Sequence, residues 1–159
     1  MLDNKLKIEI TPDGKRTKVS LIGIVDEDSV LTPIEQLKTP VVINFKGLTQ
    51  MNSVGIRLFM KAMEAIQDNG LFFEECTSAI VRQMSMVPSF QGKAKVLSIY
   101  APFTCSDCED TKMLLLTPDQ FPAGKLVLTT PFRCTVCGKG EMEFDANPQK
   151  YFAFASDAK

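Results

Sequence analysis

The residues of this chain best suited to chemistry are four cysteines, arranged in two pairs of the same spacing. In each pair, Cys105 with Cys108 and Cys134 with Cys137, two residues separate the cysteines. This gap allows both thiolates of a pair to bind one metal ion from a tight turn, and two pairs complete a tetrahedral sulfur site. The spacing therefore predicts that all four cysteines bind a single metal ion.

The ligand set favours zinc, held in a closed structural site without an open coordination position. Iron in a rubredoxin-like centre uses the same four ligands and is the alternative metal. A third interpretation is a redox-active dithiol formed by Cys105 and Cys108. That chemistry needs a thioredoxin-like strand-to-helix setting, whereas the neighbouring Glu109 and Asp110 favour protonated thiols.

The composition excludes several classes of enzyme. The chain has no histidine, which rules out histidine-based acid–base catalysis, histidine-activated nucleophiles and mixed cysteine–histidine metal sites. No pair of titratable groups shows a recognisable catalytic spacing. We therefore expect that the protein is not an enzyme.

Length and hydropathy indicate a globular protein of the cytoplasm. The chain has 159 residues, of which 45% are apolar and 23% charged, as in soluble domains with a proper core. No apolar run approaches the ~20 residues that cross a bilayer, and the first residues lack the pattern of a secretory signal. In a reducing compartment, paired cysteines bind metals more often than they form disulfides.

Charge is balanced along the whole chain, which argues against nucleic acid as a partner. The sequence has 18 basic and 19 acidic residues. Up to Gly92 we count 10 basic and 11 acidic residues, and from Lys93 onwards 8 of each. Neither half has the basic excess that binding to phosphates usually requires.

The pattern of apolar residues predicts two parts, residues 1–92 and 93–159. The first part reads as an α/β fold, a sheet with helices largely on one side. Its predicted strands are Lys5–Ile10, Lys18–Val25, Val41–Phe45 and Leu71–Phe73. Its predicted helices are a short one at Pro33–Leu37, one from Asn52 to Asn69, and one between Thr77 and Pro88.

The second part reads as a small β-rich module similar to a zinc ribbon, with short strands leading into the two cysteine turns. It is too small to bury much core without a structural metal. The 25 residues between the cysteine pairs exceed the usual ~15–20, which predicts an inserted hairpin spanning Met113 to Thr130. The predicted strands are Lys95–Thr104, Met113–Thr117, Leu126–Thr130, Glu141–Phe144 and Tyr151–Phe154.

Two segments of the first part carry a resemblance to a known family. Val41–Phe59 combines an apolar strand, a short loop, a serine-containing turn that ends in glycine, and an apolar helix. Leu21–Glu27 is an apolar strand with a glycine before an acidic loop. Together they resemble the STAS domain of bacterial anti-sigma factor antagonists, and the likeness covers roughly Lys5 to Phe90.

The resemblance implies that the turn and the following helix bind an anti-sigma factor or a kinase-like ATPase. In the family, phosphorylation of a hydroxyl just before the glycine breaks the complex, because a phosphate brings repulsion and a desolvation cost to an interface. Here Val54 occupies that position and cannot accept phosphate, which leaves Ser53 as the candidate phosphorylation site. The residues carried over to partner binding are Asn52, Ser53, Val54, Gly55, Arg57 and Lys61.

These observations predict a bacterial, cytoplasmic, non-enzymatic signalling regulator. It would bind a protein partner through the strand-to-helix turn and hold a structural zinc ion in its second part. The alternatives are a zinc-ribbon protein that binds nucleic acid and a sensor of zinc or thiol redox state. The sequence leaves self-association into a homo-oligomer open.

Overall fold

The N-terminal part of the chain forms a six-stranded mixed sheet. The computed structural model describes residues 5–155. The strands are β1 (Lys7–Asp13), β2 (Arg16–Val25), β3 (Val41–Asn44), β4 (Leu48–Met51), β5 (Leu71–Glu74) and β6 (Lys95–Val96). Their order is β1-β2-β3-β5-β6, with β4 paired to β2 beyond the end of β3. β1 is antiparallel to β2, and the other pairings are parallel.

Helices cover one face of this sheet. They are α1 (Thr32–Glu35), α2 (Ser53–Ile66), α3 (Ser78–Met86) and α4 (Pro88–Gln91). Four phenylalanine rings from the sheet and the helices meet in the core, with centroids 5.1 to 6.3 Å apart; they are Phe45, Phe59, Phe73 and Phe90. These aromatic contacts hold the helical layer on the sheet. No helix within residues 5–155 is long and apolar enough to cross a membrane.

The opposite face of the sheet is mainly polar. Lys18 Nζ lies 3.3 Å from a carboxylate oxygen of Glu74, and the Arg16 guanidinium lies 4.0 Å from the centre of the Phe72 ring. Side chains alternate between the two faces of a strand, so these residues lie opposite the buried Phe73. The structure is therefore a mixed α/β fold whose sheet has one apolar face and one mainly polar face, to which Val42 and Phe72 add apolar side chains.

The start of α2 packs very closely against β2. The Asn52 side chain caps the helix, because its carbonyl oxygen accepts a hydrogen bond of 2.7 Å from the Gly55 N–H. Gly55 is buried, and a Cβ atom at this position would lie 2.1 Å from the Val25 carbonyl oxygen. Only glycine allows the two backbones to approach this closely.

The second part is built on a three-stranded antiparallel sheet of order β8-β7-β9. Its strands are β7 (Ile99–Cys105), β8 (Thr111–Leu116) and β9 (Met142–Phe144), and a short helix, α5 (Pro148–Tyr151), follows. Along β7, buried and partly exposed side chains alternate, and the last buried one is Cys105. The strand thus leads from the core directly into the first cysteine turn.

The two sheets meet at Cys76, just after β5. The Cys76 carbonyl accepts a hydrogen bond of 2.8 Å from the Tyr100 N–H, and the Cys76 N–H donates to the Ser98 carbonyl at 3.2 Å. The Tyr100 hydroxyl donates to the Glu75 carboxylate at 2.6 Å, which raises the pKa of Tyr100 to about 12. The buried apolar side chains of both parts form one continuous cluster, so the second sheet packs against the first part.

Several sequence-based expectations about the second part are wrong. Leu126–Thr130 is not a strand: Leu126 and Leu128 pack against the core, but this segment joins neither sheet. Tyr151–Phe154 lies in α5 and a following 3₁₀ turn. The predicted Met113–Thr130 hairpin is therefore wrong, because β8 pairs back onto β7. The alternation of apolar and polar residues correctly identified segments that contact the core. A segment with this pattern need not pair with another strand.

Other element boundaries differ by less. The predicted strand Lys95–Thr104 is two strands in two sheets, because the chain turns away at Leu97 and Ser98. No pattern in the sequence indicated β4, which has only four residues. Pro88 ends α3 as predicted and also begins α4. Proline is tolerated there because the N–H groups of the first helical turn have no hydrogen-bond partner within the helix.

The tight contact at Gly55 predicts a large and local effect on stability. Gly55→Ala should lower the free energy of unfolding by about 2 kcal/mol, since the new methyl group must displace the Val25 backbone. Val54→Ala, in the same helical turn but on its exposed side, should cost less than about 0.5 kcal/mol. Urea denaturation followed by circular dichroism measures both values. Equal stability of Gly55→Ala and wild type would contradict this packing of α2 on β2.

Candidate metal centre and docking surface

Two hairpin turns of the second part present the four cysteines. The first turn connects β7 to β8, and its last strand pair is Thr104 with Thr111. The second turn lies between Arg133 and Glu141, which form an antiparallel bridge just before β9. Within it, the Cys134 N–H donates to the Gly140 carbonyl at 2.9 Å. Both turns are thus closed by backbone hydrogen bonds at their bases.

The sulfur atoms of the two turns converge on one point. All four lie within 4.8 Å of one another. Cys105 Sγ lies 3.6 Å from Cys137 Sγ, and Cys108 Sγ lies 3.7 Å from Cys134 Sγ. Tetrahedral coordination with metal–sulfur bonds near 2.3 Å places sulfurs about 3.8 Å apart, whereas a disulfide needs about 2.0 Å. This geometry fits four thiolates on one metal ion and excludes disulfides between these pairs.

Backbone N–H groups surround the sulfurs. The N–H groups of Asp107 and Cys108 each lie 3.4 Å from Cys105 Sγ. In the second turn, the Val136 N–H donates to Cys134 Sγ and the Gly140 N–H to Cys137 Sγ, both at 3.4 Å. Such donors stabilise the thiolate form, which is the form that binds metal ions, and they fix the direction of each sulfur.

The two turns have matching backbone conformations. The residue after the second cysteine of each pair has a positive φ, 62° at Glu109 and 70° at Gly138. In each turn the N–H of this residue donates to the carbonyl of the first cysteine, at 3.2 Å in the first turn and 3.1 Å in the second. Gly138 adopts this conformation without strain, whereas Glu109 bears a side chain that disfavours it.

Gly140 is a site residue that the sequence analysis missed. A Cβ atom on it would lie 2.4 Å from Cys105 Sγ and 3.1 Å from the Asp107 N–H nitrogen. Gly140 therefore allows the second turn to pass directly beside the first sulfur. The signal in the sequence was the second glycine of the run Cys137-Gly138-Lys139-Gly140, but which atom it approaches depends on the tertiary fold.

Backbone hydrogen bonds and the closeness of the four sulfurs shift the pKa values of the cysteine thiols. Hydrogen bonds from the Gly140 and Lys139 N–H groups lower the pKa of Cys137 to about 6. The N–H groups of Cys137 and Val136 lower the pKa of Cys134. At Cys108 the Asp110 N–H acts in the same direction, but desolvation and the neighbouring sulfurs together raise the pKa to about 12. Four thiolates this close therefore need a counter-charge, which a bound cation provides.

The residues expected to bind a partner lie at the start of α2. Ser53, Val54, Arg57 and Lys61 are exposed, Asn52 is partly exposed, and Gly55 is buried. The exposed side chains of Val54, Arg57 and Lys61 follow helical spacing and form one face. We call Ser53, Val54, Arg57 and Lys61 the α2 surface. The structure therefore gives Gly55 a packing role, which leaves its backbone inaccessible from outside.

Asn52 is also engaged within the protein. Its side-chain N–H donates to the Glu27 carboxylate at 2.8 Å, while its carbonyl oxygen caps α2. The backbone N–H of Glu27 and the Asn52 hydrogen bond lower the pKa of Glu27. Asn52 thus ties the acidic loop after β2 to the helix that carries the α2 surface.

Comparison with known proteins gives no family assignment. No family model matches the chain, and no similar protein was found among curated proteins. The STAS resemblance has no support from a family match. The structure itself shows a mixed α/β fold joined to a small antiparallel sheet. Four cysteines clustered at the turns of this second part can hold a metal ion.

The close approach of Gly140 to Cys105 predicts a loss of metal affinity without loss of a ligand. Gly140→Ala should weaken metal binding at least about tenfold, equivalent to about 1.4 kcal/mol, because the methyl group displaces the first sulfur. Competition between the metal-free protein and a colorimetric chelator measures the affinity. Lys139→Ala, an exposed neighbour in the same turn, should leave it unchanged. Equal metal affinities of Gly140→Ala and wild type would show that the two turns lie further apart than the 2.4 Å between a Cβ at residue 140 and Cys105 Sγ implies.

Proposed function

We propose that this protein is a non-enzymatic signalling regulator that binds a partner protein through the α2 surface and carries one structural zinc ion. The convergence of four sulfurs within 4.8 Å is the observation that supports the metal. The partner is proposed from the exposed face at the start of α2 together with the STAS resemblance. Both parts can be tested separately.

A structural role for the metal follows from the ligand set. Four cysteine sulfurs fill a tetrahedral ion completely, which leaves no position for water or substrate. The sheet around the site has strands of only seven, six and three residues, which alone give a small module little stability. Zinc is preferred over ferrous iron because it binds such sites more tightly.

The α2 surface is suited to a protein partner with an apolar and acidic face. Val54 is 36% exposed, and it is followed on the same helical face by two cations. Neither Arg57 nor Lys61 forms an ion pair with another residue in the described range 5–155. Such cations remain available for carboxylates of a partner. An anti-sigma factor or a kinase-like ATPase is the partner class that the resemblance implies.

Phosphorylation of Ser53 would act on this surface directly. The Ser53 side chain is exposed at the first residue of α2. A phosphate there would be accommodated by the helix N-terminus within the free protein. In a complex it would place a doubly charged group against the acidic partner, which weakens binding.

The metal proposal predicts one zinc ion per chain. Elemental analysis of the purified protein should give one equivalent of zinc, and Cys134→Ser should reduce this to well below one, because three cysteines bind far more weakly. Cys76→Ala removes a buried thiol outside the cluster and should retain the zinc. If the analysis finds one equivalent of iron instead of zinc, the site is a rubredoxin-like centre. If the protein is free of metal and still folded, the proposal of a structural metal is refuted.

The partner proposal predicts that charge reversal on α2 abolishes capture. Wild-type protein used as bait in lysate of its source cells should retain an anti-sigma factor or a kinase-like ATPase. The double variant Arg57→Glu/Lys61→Glu should retain at least about tenfold less, because it repels an acidic face. Lys95→Glu is the control, since Lys95 is exposed on β6. Capture of the same protein by wild type and the double variant would refute this surface.

A further inference from the structure

The structure contains a groove that neither the metal centre nor the α2 surface uses. It lies between α3 and α5 and has a volume of about 540 Å³. Volumes of 300–1,000 Å³ are typical of sites for small molecules. α3 belongs to the first part of the fold and α5 to the second, so the groove spans the junction of the two parts.

The floor and walls of the groove are largely apolar. The lining includes Met86, Ala146, Ala153 and the ring of Tyr151. Met86 is 71% exposed, the highest exposure among the large apolar side chains of residues 5–155. Flexible methionine side chains are suited to contact with apolar ligands of varied shape. The groove therefore offers a place for an apolar body.

Two cations stand on opposite walls of the groove. Arg82 extends from α3 and Lys150 from α5. Within the described residues, neither forms an ion pair, and no acidic residue lines the groove. The remaining polar lining is Ser85, Asn147 and Gln149. The charge of the groove is therefore positive, and a ligand with one anionic group complements it.

Hydrogen bonds hold the two walls in place without a ligand. The Ser85 hydroxyl on α3 donates to the Tyr151 carbonyl at 3.1 Å and accepts from the Phe154 N–H at 3.2 Å. The Asn147 side-chain oxygen accepts from the Lys150 backbone N–H at 3.3 Å, and the Tyr151 hydroxyl donates to the Tyr100 backbone carbonyl. These bonds engage the hydroxyls of Ser85 and Tyr151 and the side-chain oxygen of Asn147, which leaves the charged groups of Arg82 and Lys150 and the Gln149 side chain to contact a ligand.

From these observations we propose that the groove between α3 and α5 binds a small amphipathic carboxylate. Its apolar chain lies along Met86 and the alanines, and its carboxylate is bound between Arg82 and Lys150. A free inorganic anion lacks the apolar part, and a neutral or cationic amphiphile lacks the charge. The groove favours both in one molecule, because its lining combines apolar surface with two cations that form no ion pair within residues 5–155.

Sodium decanoate, used below its micellar concentration with the metal-loaded full chain, tests this proposal by isothermal titration calorimetry. Decanoate should bind with one site per chain, and decyltrimethylammonium should bind at least about tenfold more weakly, because it carries the opposite charge. Arg82→Gln should weaken decanoate binding about tenfold, the loss expected for one charge-assisted hydrogen bond. Arg57→Gln, which removes an exposed arginine from α2 instead, should have no effect.

The methionine methyl groups report where the ligand binds. In protein labelled with ¹³C at the methionine methyls, decanoate should shift the signal of Met86 and leave that of Met113 unchanged. Met113 is a suitable reference because it is 45% exposed, on β8. The proposal is overturned if decanoate does not bind, if the cationic amphiphile binds as tightly, if both arginine variants weaken binding equally, or if Met113 shifts as much as Met86.

Discussion

Four sulfur atoms held within 4.8 Å of one another are the constraint on which the C-terminal third depends. Their charges repel unless a cation lies between them, so a bound metal ion and the two turns would stabilise each other. The long segment between β8 and β9 contains no strand and only two short 3₁₀ turns. It starts at the end of β8 that lies beside Ile99, away from the first cysteine turn, and it ends with the second cysteine turn. This irregular segment therefore crosses the length of the sheet and covers the core.

The first part of the fold supports this arrangement through α3 and Cys76. Ile80, Val81 and Met84 of α3 are buried in the cluster that both sheets share. The Cys76 backbone continues the hydrogen bonding of β5 into β7. The cysteine turns, the groove and the mixed sheet therefore rest on one core, although they lie in different parts of the sequence. A change in the packing of α3 reaches all three.

Local sequence signals predicted the elements that depend on local chemistry. The spacing of the cysteines fixed which sulfurs converge, and the apolar stripe from Phe59 to Ile66 predicted α2. Sequence reasoning failed where a contact between distant segments decides the structure. Gly55 and Gly140 are needed because another backbone or a sulfur passes close by, which no local pattern shows. Leu126 and Leu128 alternate as in a strand, yet their segment joins neither sheet of residues 5–155.

The alternation along β7 links the core to the cysteine cluster, because the number of residues between them decides which face Cys105 lies on. Ile99 and Cys105 are both buried and lie an even number of residues apart on the same face. Insertion or deletion of one residue between them would turn Cys105 to the other face and separate its sulfur from the other three. A two-residue change would preserve the face but shift the turn along the strand by about 7 Å. The length of this one strand is therefore fixed as strictly as the identity of the cysteines.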